Sequence, residues 1–63
     1  QSALRGIKGV GEQTEQKLLM HFGSVARIAA ASTEDIAAIT GPALARTIKL
    51  ALAENQEIRQ NDD

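Results

Sequence analysis

Residues 6–11, Gly6-Ile7-Lys8-Gly9-Val10-Gly11, place three glycines in six positions, and a helical pattern begins directly behind them. Glycine lacks a Cβ, so such a stretch can take positive φ and let the backbone turn within a few residues. It therefore separates a short amphipathic turn over residues 2–5 from a longer helix. In that helix Leu18, Leu19 and Phe22 share one face, with Glu15 at its margin. Gly23 stands where a C-cap glycine belongs.

The same punctuation continues along the chain. Ser24 can cap a connector helix over residues 24–31, and Ser32 a following helix with Thr33, Glu34 and Asp35 in its first turn. That helix presents Ile36 and Ile39 and stops at Thr40-Gly41. Pro42 suits the first turn of a last helix, where a missing N–H costs nothing. There Leu44, Ile48 and Leu52 recur every four residues, flanked by Ala45 and Ala51. Beyond about Ile58 the residues are polar and are expected to fray. No segment alternates long enough to be a strand, so the reading is all-α with five helices, two of them short.

An internal repeat underlies this order. A shift of 32 residues lays Leu4 on Ile36, Ile7 on Ile39 and Gly9 on Gly41. Past the glycines the shift becomes 30, with Leu18 on Ile48 and Phe22 on Leu52. Each half is then short helix, glycine turn, longer helix. The second half is two residues shorter at its turn.

Composition bounds what such a chain does. Its 63 residues allow one modest core, because a domain of this size buries only about 60% of its unfolded surface. Without cysteine there is no disulfide framework, and a single histidine leaves no catalytic or metal-binding set. Neither an autonomous enzyme nor a metal centre is expected. Glu12 and Glu15 read as ordinary helix carboxylates, and His21 as a favourable residue beside C-terminal carbonyls. No apolar run approaches the roughly 20 residues of a membrane span, so no membrane partner is expected. A chain opening on Gln1 is expected to be a domain cut from a longer protein.

The net charge of −1 conceals a division. Residues 1–50 hold six bases against four acids, a surplus of +2, whereas residues 51–63 hold one base against four acids, −3. The body is mildly basic and the end acidic.

A basic body gives the glycine turn a chemical reading. N–H groups at a helix start lack intrahelical partners and carry the positive end of the dipole, so they suit a phosphate oxygen. Val10 would anchor the turn to the core. Lys8 and Lys17 flank it, and Gln13 or Thr14 can add neutral hydrogen bonds. Should Gly11 hold positive φ, alanine there would be strained. The plain alternative is a helix–helix turn whose glycines serve geometry alone.

Ile7-Lys8-Gly9-Val10-Gly11 with Leu18-Leu19 behind it resembles the helix-hairpin-helix (HhH) signature, hydrophobic-x-Gly-hydrophobic-Gly. Residues 21–25 and 31–36 resemble the connector of tandem HhH domains. The likeness covers roughly residues 2–53 and is nearest to the C-terminal domain of the bacterial excinuclease UvrC family. XPF/Hef-type nucleases and NAD-dependent DNA ligases have similar stretches. It implies a tandem (HhH)2 domain, a SAM/RuvA-C-like small helical fold, over residues 1–59. Hairpin one would fall at about 7–11, the connector helix at 24–31, hairpin two at about 39–43, and a polar tail at 60–63.

Function follows from the same resemblance. It implies sequence-independent binding of DNA phosphates, on duplex or at a single-strand/double-strand junction, in a cytoplasmic excision-repair nuclease. The active sites would lie outside this chain, and the other partners would be the parent nuclease's remaining domains and other repair subunits. Lys8, Gly9, Val10, Gly11, Gln13, Thr14 and Lys17 would form the first contact, and Gly41, Ala43, Arg46 and Lys49 the second. The resemblance also implies that a monovalent cation can sit at a hairpin; no other cofactor is expected.

Departures from the family pattern shape these expectations. Many members have proline-lysine where Glu12-Gln13 stand and a small residue where Glu15 stands. Glu12 should repel phosphate, and Pro42 removes a donor from hairpin two, so hairpin one is expected to dominate. The alternative function is a protein-interaction or dimerisation module of the kind XPF-type proteins use.

Overall fold

Five helical segments follow one another: a 3₁₀ turn, Ala3–Gly6, then α1 (Glu12–Phe22), α2 (Val25–Ala30), α3 (Thr33–Thr40) and α4 (Pro42–Asp62). This computed structural model describes residues 3–62, with side chains described for residues 3–54. Among the described residues there is no strand.

Each boundary has a local cause. Ser24 Oγ accepts from the Arg27 N–H at 3.1 Å and Ser32 Oγ from the Asp35 N–H at 3.0 Å, capping α2 and α3. Gly23, at φ 100°, ends α1 by donating its N–H to the Leu19 carbonyl at 2.8 Å. Pro42 is the first residue of α4.

Two boundaries differ from the sequence reading. The first short helix is a 3₁₀ turn, because the glycines leave too few residues for an α-helical turn. An i to i+3 bond closes its end, from Ile7 N–H to Leu4 O at 3.1 Å, and another closes the glycine turn behind it, from Val10 N–H to Ile7 O at 3.0 Å. At the other end α4 runs to Asp62, past Ile58, since no glycine or proline follows Pro42 to stop it. The expected tail over 60–62 is thus helical backbone, and Asp63 lies outside the described residues.

Every segment contributes to one core. Leu4, Leu18, Ile28, Ile36, Ala45 and Ile48 are fully buried, with Ile7, Val10 and Leu52 nearly so. Burying each large aliphatic side chain is worth about 1.5–3 kcal/mol, the main favourable term in so small a domain. The repeat-related pairs Leu4/Ile36 and Leu18/Ile48 are buried alike. The backbone repeats too: Gly9 has φ 95° and Gly41 φ 90°. Gly11, by contrast, is extended at φ −96° and serves as the α1 N-cap. The left-handed glycine of hairpin one is therefore Gly9.

Packing brings the two hairpins together. Helix α3 lies along α4 in the most extensive contact of the fold, while α1 meets the 3₁₀ turn, α2 and α3. A Cβ built on Gly9 would stand 3.1 Å from Leu44 Cδ1, so hairpin one rests against the first turn of α4.

Candidate nucleic-acid interface

The four α-helices begin in two different ways. Serine hydroxyls cap α2 and α3, which belong to the connector and its neighbour. Both hairpin helices instead begin behind a glycine, which has no side chain to offer. No side chain caps α1. Its first intrahelical bond runs from Glu15 N–H to Gly11 O at 2.9 Å. The N–H groups of Gly11, Glu12, Gln13 and Thr14 thus have no hydrogen-bond partner among the described residues.

Hairpin two offers fewer donors. The Gly41 N–H already closes α3 by donating to Ala37 O at 2.7 Å, and Pro42 has no N–H. The first α4 bond runs from Ala45 N–H to Gly41 O at 3.1 Å, leaving Ala43 and Leu44 as open donors. The Thr40 hydroxyl sits within this turn, 3.0 Å from Gly41 O and 3.3 Å from Ile36 O. Among the described residues, four open backbone donors therefore stand at the head of α1 and two at the head of α4.

Most side chains singled out in the sequence line these turns. Lys8, Gln13 and Lys17 are exposed and Thr14 half-buried around hairpin one, and Ala43 and Arg46 are exposed beyond hairpin two. Glu12 is exposed too, keeping a negative charge at the same turn. Val10 points inward at 8% exposure, and its N–H is already donated to Ile7 O within the turn.

Lys49 is placed differently. Its Nζ donates to Ala29 O and Ala31 O, both at 2.7 Å. The ammonium thereby closes the C-terminal end of α2, where a cation complements the dipole, and is drawn away from hairpin two. His21 lies in the last turn of α1, its ring edge-to-face with Phe22 at 4.7 Å.

One ion pair next to the glycine turn has no counterpart in the sequence motifs. Glu15 is buried on the core side of α1, and its Oε1 accepts from Arg5 Nη1 at 3.2 Å. The signal was present: a carboxylate at the margin of an apolar face requires a partner. Arg5 lies outside the glycine turn, so no motif marks it.

Two short-turned hairpins bound through a connector helix into one core define a tandem HhH domain. The chain belongs to the SAM-like helix-hairpin-helix tandem family, which it matches over residues 2–54. Among curated proteins it is similar to the UvrABC system protein C of Prosthecochloris aestuarii, 50% identical over 48 residues. The proteins of the same name from Bacteroides thetaiotaomicron and Frankia casuarinae are 50% identical over 52 residues and 48% over 56. These alignments cover 76%, 82% and 86% of this chain but 8% of each relative, so the chain spans a small part of their length. No solved structure matches it significantly.

Proposed function

We propose that the domain is a non-enzymatic DNA-binding module of a UvrC-like excision-repair nuclease, gripping backbone phosphates without reading sequence. The observation that carries this is the capping pattern. Serine caps close the helices that stay within the fold, while both hairpin helices leave their backbone donors open beside exposed lysine and arginine. Such a terminus binds anions through oriented N–H groups and the helix dipole. Hairpin one, with Lys8, Gly9, Gly11, Gln13, Thr14 and Lys17, is the stronger contact; Ala43 and Arg46 supply the weaker one.

Phosphate contacts of this kind position a protein and carry no base information. The parent's nuclease centres would lie outside this chain, in a cytoplasmic assembly with other repair subunits. A monovalent cation, which the family resemblance implies, would be held at a hairpin by backbone carbonyl oxygens of the turn.

A protein-interaction role would call for a contiguous apolar patch. Among the described residues the large exposed apolar side chains are Met20 on α1 and Leu50 on α4. The DNA reading is tested by titrating the domain with duplex and junction DNA across a salt series. Dissociation constants of about 10⁻⁴–10⁻⁶ M at physiological salt are expected, with a log–log slope of roughly −2 to −4 for two to four phosphates. A slope near −8, a strong preference for one sequence, or no binding beside a clean dimer in solution would overturn it.

A further inference from the structure

We infer that Arg5 is a phosphate-contacting arm of hairpin one, held in position by Glu15, and that hairpin two has no equivalent. The inference rests on the DNA-binding reading and adds to it a residue outside the hairpin motif.

The internal repeat supplies the first argument. The shifts that relate the halves lay Arg5 on Ala37 and Glu15 on Ala45. In the second half that alanine pair serves the packing of α3 on α4, with Ala45 fully buried and Ala37 against the core. The fold therefore needs only small apolar side chains at these positions. The first half buries a carboxylate there instead, which is costly without a partner. An ion pair retained for stability alone would be a poor exchange, since partly exposed pairs contribute little.

Exposure supplies the second argument. Within the pair the Glu15 side chain is 11% exposed and that of Arg5 52%. Glu15 holds one end of the planar guanidinium, and Arg5 keeps further N–H donors in water. A fork fixed on one side loses little further freedom when it meets a phosphate.

Position supplies the third. Arg5 lies four residues before Gly9, and Glu15 four residues after Gly11. Helical side chains lean toward the N-terminus, so Glu15 reaches back toward the start of α1. The pair thus ties the 3₁₀ turn that precedes hairpin one to the first turns of the helix that follows it.

The decisive variant is R5A/E15A, which gives the first half the two alanines of the second. It removes one base and one acid, so net charge is unchanged and any loss of binding is local. R5Q/E15Q, which preserves volume and a hydrogen bond, is the second variant should the alanine pair weaken the fold. Helicity and thermal midpoint establish that each is folded. Duplex binding by fluorescence anisotropy is then expected to show a salt slope shallower by about 0.9, and affinity about fivefold lower near 0.15 M salt. A folded double variant with wild-type affinity and slope would show that the pair is structural only. If the wild-type domain itself fails to bind, the DNA reading falls and this inference falls with it.

Discussion

The two halves share a backbone plan and use it for different ends. Hairpin one divides its work between two glycines: Gly9 takes positive φ, and Gly11 starts α1 in extended conformation. Hairpin two, two residues shorter, gives both tasks to Gly41, at φ 90° and ψ 158°. Its N–H closes α3 while its carbonyl opens α4. The fusion consumes donors that the longer turn leaves open. Charged and apolar residues also trade places: Glu15 corresponds to Ala45, and Leu19 to Lys49. The first half thus sets polar groups around its hairpin, whereas the second turns its half-buried Lys49 ammonium to the connector. A duplicated unit can evidently keep its core and specialise its turns.

Glycine substitutions put the sharpest strain on this comparison. Gly9→Ala and Gly41→Ala each force a side chain into a backbone region that only glycine occupies readily, at about 1–3 kcal/mol apiece. Gly9→Ala should lie at the upper end, because its Cβ also meets Leu44 Cδ1 at 3.1 Å. In a domain this small each kcal/mol lowers the melting midpoint by about 4–8 °C. Gly11→Ala should change stability much less, since its φ is ordinary and nothing lies within 4 Å of the added Cβ. Equal effects at Gly9 and Gly11 in thermal melts would break the division of labour described above.

Lysines separate the halves at the next level. Lys49→Met keeps the aliphatic stem but leaves Ala29 O and Ala31 O without their cation. A loss of about 1–2 kcal/mol is expected from hydrogen bonds to a charged group that is partly buried. The salt slope for DNA should stay as it is. Lys17→Met should do the opposite, leaving stability within about 0.5 kcal/mol and reducing the slope by about 0.9. Urea melts and salt-dependent titrations of both variants decide the matter. A shallower slope in Lys49→Met would return that lysine to the DNA surface.

The capped helices provide a control. Ser24→Ala and Ser32→Ala each remove a hydroxyl that accepts a backbone N–H, at about 1 kcal/mol. Neither cap lies in a hairpin, so DNA affinity of the folded variants should be unchanged. Loss of binding in a folded Ser24→Ala domain would place the connector in the interface.

Much of this architecture was legible because it depends on local chemistry. Both serine caps, the Gly23 stop, Pro42 at the head of α4 and the Leu18/Ile48 equivalence follow from short-range rules. Which hairpin glycine holds positive φ did not, since Gly9 and Gly11 differ only in their place in the turn. The Lys49 contact spans 18 to 20 residues and depends on how α4 crosses the connector, which no local pattern encodes. Arg5 and Glu15, ten residues apart, became partners only once the turn had folded. Turn residues carried the site's outline, and tertiary packing decided which cations reach it.

Gly11→Ser carries the smallest stability change and the sharpest functional one. Serine is a slightly better N-cap than glycine, so the fold should gain a few tenths of a kcal/mol. Gly11 is extended, with open space where a Cβ would stand, so the substitution meets no strain. The new hydroxyl would accept the N–H of Gln13 or Thr14, as Ser24 and Ser32 do in their own helices. That closes one of the four donors offered to phosphate, without altering charge. The variant should therefore melt slightly higher, bind duplex DNA more weakly and keep its salt slope, because no cation has been removed. Stability and binding would then move in opposite directions at one residue. Unchanged affinity in this better-capped domain would mean that the α1 N–H groups do not face phosphate, and that the flanking side chains alone hold the DNA.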